Sequence, residues 1–372
     1  MLQILCFCLM GFLNTVLALG VLLFGASANQ RVLPGLGLGR LLSTAGVVLL
    51  ATAIEAGVLS LWFLDAFGVL QLLWIDVSVV VPACGLMLLL THGRELRATM
   101  AARSVALLSL AMLPIAIHAR WIEPYDLRVE RVAVELPSTA AGQESIRVGV
   151  LADLEAVAVG DHERSAVTKV MAEHPDLILV AGDVFQSGAK QGTAPIAEMR
   201  DLFDRLWAPG GVWVVPGEPA EAELLREVVR GTHVRLLEDE TVTIQLGDRQ
   251  LTLLGLGESE ESSRALLDFE DRPGDDDIRL VLCHMPRAVM DLRRDSRVDL
   301  VVAGHTHGGQ VVLPLIGPPI VLSPLPRSIA AGGLHDYRGN GVYVSRGLGI
   351  ERQQAPQIRF FCPPEVSLLT LQ

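Results

Sequence analysis

The chain has 372 residues, enough for two domains, and its 51% hydrophobic content with a mean hydropathy of +0.43 is high for a purely soluble protein. Its net charge of −12 is unevenly spread: five arginines and four acidic residues lie before position 120, against 25 basic and 38 acidic residues after it. So acidic a C-terminal part excludes nucleic acid as a partner, since a phosphate backbone calls for clustered lysine and arginine. Five cysteines make no disulfide framework.

Residues 1–30 carry no charged side chain, which exceeds the roughly 20 apolar residues needed to cross a bilayer. A first span is predicted at residues 1–25. No lysine or arginine precedes the apolar run, so it reads as a retained anchor rather than a cleaved signal peptide. Three further apolar blocks follow at residues 41–64, 67–90 and 104–118, the last barely of spanning length. The expected organisation is a transmembrane region of about four helices over residues 1–119 and an extramembrane domain over 120–372.

Arg31 and Arg40 fall between the first two spans, and Arg94, Arg97 and Arg103 between the last two. If those loops are cytoplasmic, the C-terminal domain lies outside the cytoplasmic membrane; Arg120, just past the fourth block, counts the other way. Glu55 and Asp76 sit inside spans, either on an ion path or as acids partnered within the helix bundle. Cys283 and Cys362 lie in strand-like runs, either paired or as buried thiols.

Past the linker at residues 121–126, residues 127–136 alternate polar and apolar side chains, as a half-exposed strand does. The next strands are buried runs, and each ends on a side chain suited to metal binding. Residues 146–152 lead to Asp153 and Glu155; a helix over about 163–174 then leads to the strand 177–181 and Asp183. An amphipathic stretch over 196–207 precedes the strand from Gly211 to Gly217-Glu218-Pro219, and alternating strands follow near 233–237, 241–246 and 250–256. Residues 278–283 then deliver His284, and residues 298–303 deliver His305 and His307.

Strand, helix, strand repeats of this kind build a parallel sheet whose ligand site collects at the C-terminal strand ends. Residues two apart in extended chain share a face, so His305 and His307 can address one spot. Five successive strand ends bearing carboxylates or imidazoles point to a metal site, and paired imidazoles on a glycine-rich loop suit two ions.

The segments Ala181-Gly182-Asp183, Gly304-His305-Thr306-His307-Gly308-Gly309-Gln310, Tyr343-Val344-Ser345-Arg346-Gly347-Leu348-Gly349 and Arg359-Phe360-Phe361-Cys362-Pro363-Pro364-Glu365 resemble the calcineurin-like metallophosphoesterases, especially their membrane-anchored bacterial branch. The resemblance covers residues 127–372. It implies a four-layer αββα sandwich, an α/β fold, with a site for two divalent ions at the strand ends. Asp153 would bind the first ion and Asp183 bridge both, with His284 and His305 on the second ion and His307 on the first.

Three positions depart from the family pattern. Glu155 stands where the family has a histidine, Glu218 where it has an asparagine, and Pro219 where it has the histidine that contacts the scissile phosphate. Carboxylates harden the ligand set and favour Mn²⁺ or Mg²⁺, with Fe or Zn as the other choices. They also oppose an incoming phosphate anion, and Pro219 removes a donor whose loss costs about 2.7–4 kcal/mol in comparable sites.

The implied activity is metal-assisted hydrolysis of a phosphoester, a phosphodiester or phosphomonoester near the bilayer such as a lipid or cell-envelope precursor. The alternative is a catalytically impaired relative that binds metal or phosphoester as a sensor or scaffold. His162 is a candidate replacement acid, and Arg346 and His335 are candidate phosphate contacts.

Overall fold

The computed structural model describes residues 2–24, 36–61, 65–92, 99–136, 144–186, 194–273, 277–352 and 354–372. Arg31, Arg94 and Arg97, in the loops between the apolar blocks, lie outside the described residues. The chain forms two compact units: Met1–Arg120 with Glu351–Gln357, and Trp121–Ile350 with Ile358–Gln372.

The first unit is helical, with α1 (Leu2–Phe24), α2 (Leu36–Ser60), α3 (Ala66–Ile75), α4 (Val81–His92) and α5 (Thr99–Ile117). Helices α3 and α4 join through a widened π turn, Asp76–Val80, just ahead of Pro82, which offers no amide to the preceding turn. Among the described residues three stretches are long and apolar enough to cross a membrane: Ser43–Ser60, Ala66–Leu90 and Arg103–Tyr125. The fourth block, the shortest in sequence, gains its length because the helix runs on through the π segment His118–Ile122 and the 3-10 turn Glu123–Tyr125. In the first block the corresponding apolar stretch among described residues is shorter, Cys6–Val21.

Glu55 and Asp76 meet inside this unit. The Asn14 amide donates to Glu55 Oε2 at 3.2 Å and to Asp76 Oδ1 at 3.0 Å, and Thr52 Oγ1 donates to Asp76 Oδ2 at 2.5 Å. Polar groups surrounded by apolar helices are costly unless satisfied by one another; both carboxylates find donors here, while Asn14 Oδ1 is buried without a partner.

Among the described residues the second unit holds twelve strands in two six-stranded sheets. In chain order the strands are β1 (Arg128–Val134), β2 (Ile146–Leu151), β3 (Leu177–Ala181), β4 (Val212–Val215), β5 (Val234–Leu236), β6 (Glu240–Leu246), β7 (Arg249–Gly255), β8 (Ile278–Leu282), β9 (Leu300–Ala303), β10 (Gly333–Tyr337), β11 (Asn340–Val344) and β12 (Glu365–Leu371). The first sheet has the order β1-β12-β2-β3-β4-β5 and the second β10-β11-β9-β8-β7-β6. Strands β2 to β5 run parallel, as do β7, β8, β9 and β11.

Alternation along the strands decides which side chains go where. Val148, Val150, Leu177, Leu179, Leu280, Leu282, Leu300 and Val302 turn inward and fill the space between the sheets. Their neighbours Ile178, Val180, Val212 and Val214 face outward onto α6 (Asp161–Ala172), α7 (Ile196–Phe203) and α8 (Glu221–Val229), through Val170, Leu202 and Leu225. On the other side Leu254, Val281 and Val301 meet Leu266 and Phe269 of α9 (Ser262–Glu270) and Ile329 of α10 (Arg327–Ala330). The layers are therefore helix, sheet, sheet, helix, the αββα sandwich anticipated from the sequence. Cys283 and Cys362 are both buried and free, which settles the open alternative in favour of thiols.

Candidate metal centre

Parallel strands β2, β3, β8 and β9 all end on one edge of the sandwich, and each continues into a loop carrying a candidate ligand. Asp153 N donates to the Gly182 carbonyl at 3.0 Å and Glu155 N to the Asp183 carbonyl at 2.9 Å, so the β2 and β3 loops run side by side. Asp153, Glu155, Asp183, His305 and His307 all adopt positive φ, between 47° and 71°. L-residues avoid this region, and strain of this kind concentrates where function needs side chains aimed at one point.

Ligand atoms of Asp153, Asp183 and His284 lie within 4.8 Å of one another. His284 Nδ1 sits 2.9 Å from the Ala181 carbonyl, which fixes the ring and turns Nε2 towards Asp183 Oδ2 at 3.2 Å. This is the ring orientation that backbone anchoring gives a metal-binding histidine. Glu155 Oε1 lies 3.7 Å from His307 Nε2. The His305 ring packs edge-on against that of His284 with centroids 5.0 Å apart, and its Nε2 is 3.1 Å from the Leu322 carbonyl. Glu218 is half-buried on the loop after β4, outside the Asp153, Asp183 and His284 cluster.

Two glycines make the close approach possible. A Cβ on Gly217 would sit 1.8 Å from Asp183 Oδ1, and one on Gly347 would sit 2.6 Å from Asp153 Oδ2. Either methyl would displace a carboxylate.

The electrostatics favour a cation. Burial and Asp183 both push up the carboxyl of Asp153, to about 7, although His284 and the His305 amide pull the other way. Burial opposes ionisation of Asp183 too, but the charge and hydrogen bond of the His284 ring lead the interactions that outweigh it and hold that carboxyl below its usual range. Burial likewise disfavours an imidazolium at His284, and Asp183 with Asp153 more than offsets it, lifting the ring to about 10. Positive charge is thus drawn to the point between the two aspartates. Burial, reinforced by His284, lowers His305 to about 4; burial, reinforced by Arg359, lowers His307 to about 3. Both rings stay neutral, the form that ligates metal.

The donor set fits divalent ions by a further observation: Asp153 Oδ2 and His307 Nδ1 are buried with no hydrogen-bond partner. Orphaned buried polar atoms are rare, and an ion is one of the few ways to satisfy them.

The other candidates have structural partners. His162 Nε2 is 3.1 Å from the Leu348 carbonyl with its ring edge-on to Tyr125, His335 Nε2 is 3.0 Å from the Gly332 carbonyl, and Arg346 is held by Glu365 at 2.5 Å and Glu130 at 2.9 Å. Glu221, passed over in sequence, and Arg359, noted there only as part of a family-like segment, matter more. Glu221 is buried at the start of α8 and accepts from Phe185 N at 2.9 Å and Gly217 N at 2.7 Å, tying the β3 and β4 loops together. Arg359 is fully buried and donates to the carbonyls of Arg346, Gly347, Gly349 and Cys362, holding the turn whose Gly349 N caps the Asp153 carbonyl at 2.6 Å.

The family model of calcineurin-like phosphoesterases matches residues 146–309, from β2 to the His305 and His307 loop. That segment, somewhat less than half of the chain, is similar to the calcineurin-like phosphoesterases. Phosphodiesterase YaeI of Escherichia coli is 29% identical over 215 residues, covering 55% of this chain and 74% of that protein. The uncharacterised metallophosphoesterase YkoQ of Bacillus subtilis is 24% identical over 272 residues, 70% of this chain and 97% of its own. UDP-2,3-diacylglucosamine pyrophosphatase LpxG of Chlamydia trachomatis is 30% identical over 158 residues, 39% of this chain and 44% of its own. The segment match, together with relatives named for phosphodiester and pyrophosphate cleavage, supports a phosphoester hydrolase.

Proposed function

We propose that this phosphoesterase is anchored in the bacterial cytoplasmic membrane and hydrolyses an amphiphilic phosphoester through two divalent ions. The observation that carries this reading is the convergence of Asp153, Asp183 and His284 at the strand ends, with Glu155 facing His307 beside them. Asp153, Glu155 and His307 would hold one ion, and His284, His305 and Glu218 the other, with Asp183 between. The carboxylate-rich set is hard and favours Mn²⁺ or Mg²⁺. Ions held there would supply Lewis-acid polarisation of a phosphoryl oxygen and a lowered pKa for water.

The chain's own residues do the remaining work. Neutral His305 and His307 keep lone pairs available, the Ala181 carbonyl fixes the His284 tautomer, and the Gly217 and Gly347 approaches keep the two aspartates from swinging away. Three membrane-length helices and a relative named for a diacylglucosamine nucleotide support a lipid or envelope precursor as substrate. The arginine pattern supports an extracytoplasmic domain; activity of an alkaline-phosphatase fusion after Gln372 tests it, and an inactive fusion overturns it.

Pro219, exposed on the loop where the family places a phosphate-contacting histidine, favours one second reading: a metal-binding relative with little turnover. Full-length protein in detergent, assayed with Mn²⁺ on an aryl phosphodiester beside Asp183→Ala, separates the two. Metal-dependent product lost in the variant supports the hydrolase. Bound metal without product supports the sensor, and no bound metal removes both.

A further inference from the structure

Between His307 and Arg327 the chain carries no charged side chain. Within this stretch Leu313 and Gly317 close a tight turn through reciprocal backbone hydrogen bonds of 3.0 and 2.9 Å, and Leu315 at the tip is wholly exposed at φ 68°. Ile316, Ile320 and Leu322 are exposed beside it. A solvent-facing turn normally places glycine, asparagine or aspartate at a left-handed position. Here a leucine occupies it, between Pro314 and the pair Pro318-Pro319, which stiffen the loop. A fully exposed leucine buries nothing in the folded domain, so its conformation brings no packing in return.

The loop is joined to the metal centre. It follows directly on Gln310, and the Leu322 carbonyl lies 3.1 Å from His305 Nε2. Val312 N donates to the Phe360 carbonyl at 2.8 Å, which brings exposed Phe361 alongside, and Cys362 N donates to Glu123 Oε1 at 2.5 Å. Trp121 and Tyr125, on either side of Glu123, are exposed as well. Exposed aromatic side chains of these types are typical of the bilayer–water boundary. A protein partner would be met by a polar rim around an apolar centre, and this loop supplies no charged group for one.

We propose that residues 311–322, with Phe361, form the acyl-chain contact of the substrate site, entering the headgroup boundary and selecting phosphoesters that carry acyl tails. This rests on the hydrolase reading above for its chemistry, while the membrane contact itself does not depend on turnover.

The test uses the full chain in lipid nanodiscs with the double substitution Leu315→Asn and Ile316→Ser; asparagine suits the left-handed tip, so the turn is kept. Hydrolysis of a soluble bis-nitrophenyl phosphate is compared with that of a nitrophenyl phosphodiester of dioctanoylglycerol. The acylated substrate should lose roughly tenfold or more in kcat/KM, mainly through KM, with the soluble one unchanged. Equal losses on both substrates, or none on either, overturn the proposal.

Independently, an Ile316→Trp variant in phosphatidylcholine vesicles brominated on the acyl chains should show added emission, relative to the unsubstituted chain, that is quenched. Unquenched added emission overturns the proposal. Should the unsubstituted protein cleave neither substrate, the hydrolase reading fails by itself, and the quenching result alone decides the membrane contact.

Discussion

The amide of His305 donates to Oδ1 of Asp153 at 2.8 Å, across 152 residues of sequence and between the two sheets of the sandwich. One carboxylate oxygen is thereby committed to fixing the histidine loop, and the other is left buried and unpartnered. Asp153→Asn keeps the acceptor and removes the charge. The substitution should preserve the fold and lower metal affinity by at least about tenfold to a hundredfold, the scale on which metal sites respond to lost support. Metal content after dialysis, with circular dichroism as the control for folding, checks this; undiminished metal would take Asp153 out of the ligand set.

Glu221 and Gly217 make a second test of how the site is held. Glu221→Ala leaves the amides of Phe185 and Gly217 without their acceptor in a buried place, at about 1–3 kcal/mol for each such group. Gly217→Ala forces a methyl into Asp183 Oδ1. Both should lower the thermal midpoint, and Gly217→Ala should also abolish the metal-induced rise in that midpoint. A normal rise with Mn²⁺ in Gly217→Ala would contradict the close approach.

The strand and helix alternation was legible because the strands are uninterrupted apolar runs such as Leu177–Ala181 and helix α6 shows a polar and an apolar face; the four-layer sandwich followed from the family resemblance. The candidate residues stood out for a related reason: acids and histidines at buried strand ends break a strong pattern, and the structure brings Asp153, Asp183 and His284 together. Glu221 escaped notice because an acid in the first turn of a helix, as in α8, is the ordinary complement to the helix dipole. Arg359 belonged to a quoted segment, yet nothing in sequence distinguishes an arginine capped by backbone carbonyls from a surface one. Strands β10 to β12 went unread since their pairings with β9, β2 and β1 are long-range and leave no local mark.

Away from the metal centre, Asp299 reports on pH. Its Oδ2 accepts from Arg279 N at 2.7 Å, and burial, with Asp277 adding to it, pushes the carboxyl up to about 6 against the Arg279 hydrogen bond. A carboxyl raised in the folded state binds its proton more tightly there than in the unfolded chain. Its contribution is therefore most favourable below about pH 4 and is lost as pH climbs through about 6. Asp299→Asn retains the acceptor without the charge. It should match the unsubstituted protein near pH 4 and exceed it by on the order of 1–2 kcal/mol at pH 8. Chemical denaturation at the two pH values measures the difference, and a deficit at pH 8 would refute it.

Pro219 is the position where function is most exposed to change. It lies on the loop that also carries Glu218, directly after Gly217, whose approach to Asp183 anchors the loop to the centre. A histidine there would present a donor that strengthens as charge builds on phosphoryl oxygens, the kind of contact worth about 2.7–4 kcal/mol where it is fully aligned. Proline restricts the loop, so a single replacement should recover only part of that. Pro219→His should raise kcat on an aryl phosphodiester by about tenfold to a hundredfold, with KM altered little, because the gain is made in the transition state. An increase confined to KM would assign the position to ground-state binding. An unchanged kcat in a protein that binds Mn²⁺ normally would mean that the deficit lies with the carboxylates of Glu155 and Glu218, and Glu218→Asn in the same background would then be the substitution that raises the rate.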